Sequence, residues 1–202
     1  MPEAQPNNAP RSMAFVVRAA AAALVVVVLG FAAFMLMTPR EGPRAALIGG
    51  PFTLQDGDGK TVSNQTLRGR PFLVYFGYTH CPDVCPTELA KISDILSKMG
   101  DKPVPALFIT VDPERDTPKV MQDYVSSFNP AIIGLSGSPE AVAATEKTFR
   151  VFARKGEKQP DGDYSMDHSS VVYLMDKNGA FVEAFNVERP PEEAAKDLEK
   201  YL

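Results

Sequence analysis

The chain has little of several things that would otherwise carry a function. Among 202 residues there are two cysteines and two histidines. No third cysteine exists, which counts against zinc, an ion that prefers four protein ligands in a structural site. There is no basic stripe. Residues 1–44 carry four Lys or Arg against two acids, so of the totals 21 and 25 the remainder holds 17 against 23, a charge of -6. An acidic domain of this kind argues against nucleic acid as a partner. No internal repeat or low-complexity tract stands out beyond one Ala/Val-rich run.

That run is Ala19–Met37, AAAAALVVVVLGFAAFMLM, uncharged and long enough to cross a bilayer as a helix. A cleaved signal peptide is the rival reading, but its apolar region is shorter and is followed by small residues, whereas this one ends in Met35, Leu36 and Met37. An uncleaved transmembrane anchor is therefore expected. Arg11 and Arg18 precede the span and Arg40 and Arg44 follow it, so the count of positive flanks leaves orientation open. The leader, with Glu3 and few arginines, is unlike a mitochondrial presequence and points to a bacterial inner membrane. The expected organisation is an N-terminal tail at 1–18, disordered over its first twelve residues, the anchor at 19–37, a Pro/Gly linker at 38–50 and one globular domain at 51–202.

Within that domain, Pro51 to Ser63 alternates around Asp56-Gly57-Asp58-Gly59 and reads as a β-hairpin added to the scaffold. Pro71–Gly77 is an apolar run of the kind expected for a strand buried on both faces. It feeds Phe76–Glu88, FGYTHCPDVCPTE, which holds Cys81, Cys85 and His80. Pro86 is best placed at the first position of a helix running to Met99. A second strand, Ala106–Val111, leads into DPERDTP, where Thr117 and Pro118 open a helix to about Phe128. Ile132–Leu135 is a third strand, and Ser138 and Pro139 open a helix whose inner face is Val142, Phe149 and Phe152. A polar loop, Gly156–Asp163, precedes DHSS and the strand pair Val171–Met175 and Ala180–Phe185; Pro190 and Pro191 open the last helix. This alternation implies an α/β sandwich with a mixed sheet. The cysteine turn and DPERDTP then share the carboxyl edge of the sheet. If the strand after His168 runs antiparallel, His168 reaches the same edge.

Two thiols four residues apart can form a disulfide, hold a soft metal ion or simply fill space. On a regular helix their Cβ atoms would be about 5–6 Å apart, wide for a relaxed disulfide but suited to two thiolates on one ion. Both sulfurs are expected in an exposed turn at the helix N-terminus, where the dipole would lower their pKa.

Three motifs in this order, GYTHCPDVCP at Gly77–Pro86, VDPERDTP at Val111–Pro118 and DHSS at Asp167–Ser170, after an N-terminal anchor, resemble the Sco family over about Leu47–Leu202. The resemblance implies a thioredoxin-like fold facing the periplasm or the mitochondrial intermembrane space. It also implies a part in assembling the dinuclear copper centre of cytochrome c oxidase, with Cys81, Cys85 and His168 as ligands of one copper, Cu(I) or Cu(II). Expected partners are the copper-centre subunit of the oxidase, other periplasmic copper chaperones or thiol reductants, and the membrane through the N-terminal helix. Thiolates select Cu(I) and imidazole suits copper in either state. The alternatives are a thiol-disulfide oxidoreductase using Cys81 and Cys85 as a redox pair, or a redox or copper sensor. Ser165–Ser170 lacks the proline that thioredoxin-type exchangers place before the corresponding strand. Asp167 could orient the imidazole, Asp83 could tune charge, and Met166 offers a nearby thioether. His80 is expected to act locally. Asp112, Glu114, Arg115 and Asp116 could form a partner-docking rim or serve only as caps and ion pairs.

Overall fold

The computed structural model describes residues 9–37, 48–102 and 104–202. It divides into two compact units, Met1–Ala45 and Ala46–Leu202. In the first, helix α1 spans Ala9–Met37. It begins inside the stretch predicted to be a disordered tail, with Pro10 in its first turn, where a missing N–H costs nothing. The predicted anchor, 19–37, lies within α1, but the side chains described end at residue 31. Among the described residues no helix is long and apolar enough to cross a membrane. Most of the predicted linker, residues 38–47, falls outside the described residues.

The second unit is built on a five-stranded mixed sheet. Strands β1 (Thr53–Gln55) and β2 (Thr61–Ser63) form the predicted hairpin, whose turn is closed by Asp56 Oδ1 accepting the Asp58 and Lys60 amides. Strand β3 (Phe72–Gly77) is buried at every position, as its unbroken apolar run requires. Helix α2 (Val84–Ser97) follows, then β4 (Ala106–Thr110), α3 (Pro118–Val125), β5 (Ile132–Leu135) and α4 (Pro139–Phe149). The Thr117 and Ser138 side chains accept the Val120 and Ala141 amides, so both helices start where the Thr-Pro and Ser-Pro pairs predict. A second hairpin, β6 (Ala153–Lys155) with β7 (Met166–His168), precedes β8 (Val172–Met175), β9 (Phe181–Ala184) and α5 (Pro191–Glu199).

Spatially the sheet runs β5-β4-β3-β8-β9. Strands β3, β4 and β5 are parallel, β8 is antiparallel to β3, and β9 to β8. This direction change matters for the site. It brings the end of β3, the end of β4 and the start of β8 to one edge. The core beneath is aromatic: Phe76 packs on Phe149 at 5.4 Å and edge-on to Tyr173 at 6.3 Å between ring centroids.

One local reading is corrected. Phe152 is not on the inner face of α4; the helix ends at Phe149, Arg150 turns the chain through a left-handed φ of 56°, and Phe152 is 57% exposed. Gly156–Asp163 is loop as expected, and β6 and β7, which the sequence did not reveal, pair on either side of it as a ribbon outside the main sheet.

Candidate metal and dithiol site

The site lies where β3 ends. Tyr78 and Thr79 turn the chain off the sheet, and the Tyr78 carbonyl accepts the Cys81 amide at 3.3 Å, closing the turn that carries the first thiol. Helix α2 starts at Val84, two residues ahead of the predicted Pro86, so Cys85 sits inside its first turn. Cys81 is partly exposed and Cys85 is fully buried, and both are free thiols. The Cys85 amide donates to Cys81 Sγ at 3.3 Å, which gives one orphan N–H of the helix N-terminus a sulfur acceptor.

Burial reverses one expectation. Cys85 was expected to have a lowered pKa from the helix dipole, but desolvation pushes its thiol up to about 12, against a lesser lowering by the Tyr78 backbone. At neutral pH Cys85 is a thiol unless a metal takes the proton's place. Space for its sulfur comes from Gly77, where a Cβ would stand 2.7 Å from Cys85 Sγ and 2.7 Å from the Phe108 ring.

His168 arrives from the other side at the end of β7. Its Nε2 lies 3.7 Å from Cys85 Sγ, and its Nδ1 is 3.0 Å from the Ser169 carbonyl, so Nδ1–H donates there and Nε2 is the ring nitrogen turned to the sulfur. The Tyr78 ring meets the imidazole edge-to-face at 5.8 Å. Sulfur and nitrogen bound to one ion with bonds of about 2.3 and 2.0 Å stand about 3.5–3.7 Å apart. The Cys85–His168 pair has that separation. Among the described residues, no three His, Cys, Asp or Glu side chains are already gathered closely enough to hold a metal ion. The topology has therefore brought Cys81, Cys85 and His168 to one place without closing them on a point. A cavity of about 400 Å³, lined by Tyr78, Cys81, Val84, Met166 and His168 among others, opens beside them.

Asp167 does not orient the imidazole. As the middle residue of β7 it points the opposite way from His168, and its carboxylate accepts Arg154 Nη2 at 2.7 Å. Ser169 does that job with a main-chain carbonyl, a contact no sequence motif announces. His80 is half exposed, with Nδ1 3.2 Å from Thr79 Oγ1 and 4.0 Å from Asp116. Asp83 is exposed at the helix start and makes no side-chain cap.

The acidic motif divides. Asp116 is not a rim residue: fully buried, it accepts the Thr79 amide at 3.0 Å and the hydroxyls of Thr79 and Thr110 at 2.5 and 2.8 Å, fastening the cysteine turn to the end of β4. The parallel pairing of β3 and β4 was the signal that could have found it, since the loops after two parallel neighbours face each other. Asp112 is also buried, while Glu114 is exposed and pairs with Lys155.

A thioredoxin-like α/β domain that sets a Cys-x3-Cys turn against a histidine from beside an antiparallel strand is the class these elements define. The chain belongs to the SCO1/SenC family, whose model matches residues 40–202. It is 42% identical over 171 residues to the Arabidopsis thaliana protein SCO1 homolog 1, mitochondrial, covering 80% of this chain and 51% of that one. The chain spans about half to two thirds of the length of such curated relatives. The structure of Bradyrhizobium japonicum ScoI with copper bound is 56% identical, with a TM-score of 0.74 over 77% of this chain and 99% of that one. BsSco, described as having a disulfide switch and as a member of the Sco family of cytochrome c oxidase assembly proteins, is 28% identical with a TM-score of 0.60, over 77% and 92% of the two chains.

Proposed function

We propose that this protein is a membrane-anchored copper chaperone of a bacterial inner membrane. Its domain faces the periplasm, holds one copper through Cys81, Cys85 and His168, and delivers it toward the dinuclear copper centre of cytochrome c oxidase. The observation that carries this reading is the 3.7 Å approach of His168 Nε2 to Cys85 Sγ, with the other ring nitrogen already donating to a carbonyl. An imidazole whose Nδ1–H is fixed on a carbonyl presents Nε2 as the nitrogen to ligate. Copper binding would draw the Cys81 sulfur inward and displace the protons of both thiols, so loading is coupled to thiol reduction: a disulfide has no thiolate to offer. The copper-bound ScoI relative supports the choice of metal. The partly exposed Cys81 beside buried Cys85 favours a second reading, thiol-disulfide exchange on the recipient, in which Cys81 is the sulfur within reach of a partner.

The two readings separate at His168, which copper needs and exchange does not. Anaerobic competition titration of the reduced full chain in detergent, first with Cu(I) and then with Cu(II), is expected to show one tight copper, and His168→Ala is expected to weaken Cu(II) by at least tenfold. Weak copper binding that His168→Ala leaves unaltered would transfer the function to thiol exchange.

A further inference from the structure

We infer that Arg115 is a positioning residue for His168, acting as the clasp that holds the β6–β7 ribbon over the cysteine turn; the inference rests on His168 being a copper ligand. The ribbon is not part of the five-stranded ladder. Its backbone hydrogen bonds run mainly within itself, β6 to β7, so its position over the site depends on side chains. Arg115 meets it there. The guanidinium lies 3.6 Å from the Tyr164 ring centroid and 5.8 Å from that of Tyr78, so it stands between the ribbon and the first residue of the cysteine turn.

The planar fork is used in two directions. Arg115 Nε donates to the buried Asp112 carboxylate, and Nη1 donates to Asp163 Oδ1 at 2.7 Å. Tyr164 completes the clasp by donating its hydroxyl to Asp112 Oδ1 at 2.9 Å. Tyr164, Met166 and His168 alternate along one face of the extended chain, so fixing the first sets the direction of the third. The other link between ribbon and β4–α3 loop, Lys155 with Glu114, is solvent-exposed on both sides and holds little. Tyr78 also packs on the imidazole. One arginine thus touches both a residue that contacts His168 and the segment that delivers it. A lysine has neither the stacking plane nor the fork.

The test uses the full chain in detergent, loaded with Cu(II), with His168→Ala as reference. Arg115→Ala is expected to lose the imidazole nitrogen hyperfine coupling in the electron paramagnetic resonance spectrum and to bind Cu(II) about 10- to 100-fold more weakly. Its Cys81/Cys85 thiol-disulfide equilibrium against dithiothreitol should stay at the wild-type value. Arg115→Lys is expected to fail to restore the nitrogen signal. Tyr164→Ala should reproduce the loss and Tyr164→Phe, which keeps the stacked ring, should largely escape it; this pair decides the matter should Arg115→Ala not fold. A folded Arg115→Ala with wild-type nitrogen coupling, while His168→Ala loses it, overturns the clasp. A His168→Ala protein that itself keeps the coupling overturns instead the ligand assignment beneath it.

Discussion

At the scale of single residues the site is an exercise in fitting a large soft atom into a tight corner. Cys85 Sγ is enclosed by Gly77, Phe108 and the first turn of α2, and the absence of a side chain at position 77 is what leaves room. Gly77→Ala would press a methyl to 2.7 Å from that sulfur and from a buried ring. Overpacking of this kind costs about 1–3 kcal/mol. Urea unfolding of the reduced apoprotein should show a lower midpoint at unchanged slope, and an unaltered midpoint would contradict the close fit. The candidate ligands were legible as residue types, because two thiols and a histidine are few enough to single out. Their environments were not. Cysteine carries no sequence mark that separates an exposed nucleophile from a buried one, and Pro86 drew the expected helix start past Cys85. From sequence Asp116 reads equally as a rim charge or as a cap or ion-pair partner, because a buried carboxylate is recognised only by the donors around it.

At the scale of elements, strands of unbroken apolar residues and helices opened by Ser-Pro or Thr-Pro could be read directly, since both faces of β3 are covered and each cap is local. The ribbon could not. Ala-Arg-Lys and Met-Asp-His have the composition of loop, and only their pairing across the Gly156–Asp163 turn makes them strands. Helix α4 carries a consequence for pH. Its Glu146 is half-buried, and burial pushes its carboxyl up to about 7. A folded pKa above the ordinary value of 4.5 means the neutral acid is the form the fold tolerates. Its contribution is complete below about pH 4.5 and is lost as pH rises toward about 7. Glu146→Gln should therefore abolish that decline and stabilise the protein at pH 8 by about 1–2 kcal/mol, after allowance for solvent screening. Equal denaturant midpoints for variant and wild type at pH 8 would count against it.

At the scale of the whole molecule, the apolar helix α1 and the acidic domain belong to two separate compact units. If Ala19–Met37 spans the membrane, the full chain should sediment with membranes after alkaline carbonate washing, while a chain beginning at Ala46 should remain in the supernatant. Release of the full chain by carbonate would exclude an integral anchor. The contrast between the two sulfurs then bears on how cargo would leave. Cys85 is sealed beneath the chain and Cys81 borders the open cavity with Pro82 and the 48% exposed Val84. If copper is held as proposed, an incoming ligand could reach it from the cavity, which Cys81 and His168 line and Cys85 does not, so the bond to Cys85 would be the last surrendered. Handover would be an associative relay, in which the acceptor's first bond forms before the donor's last one breaks and the ion is never set loose as a hydrated species.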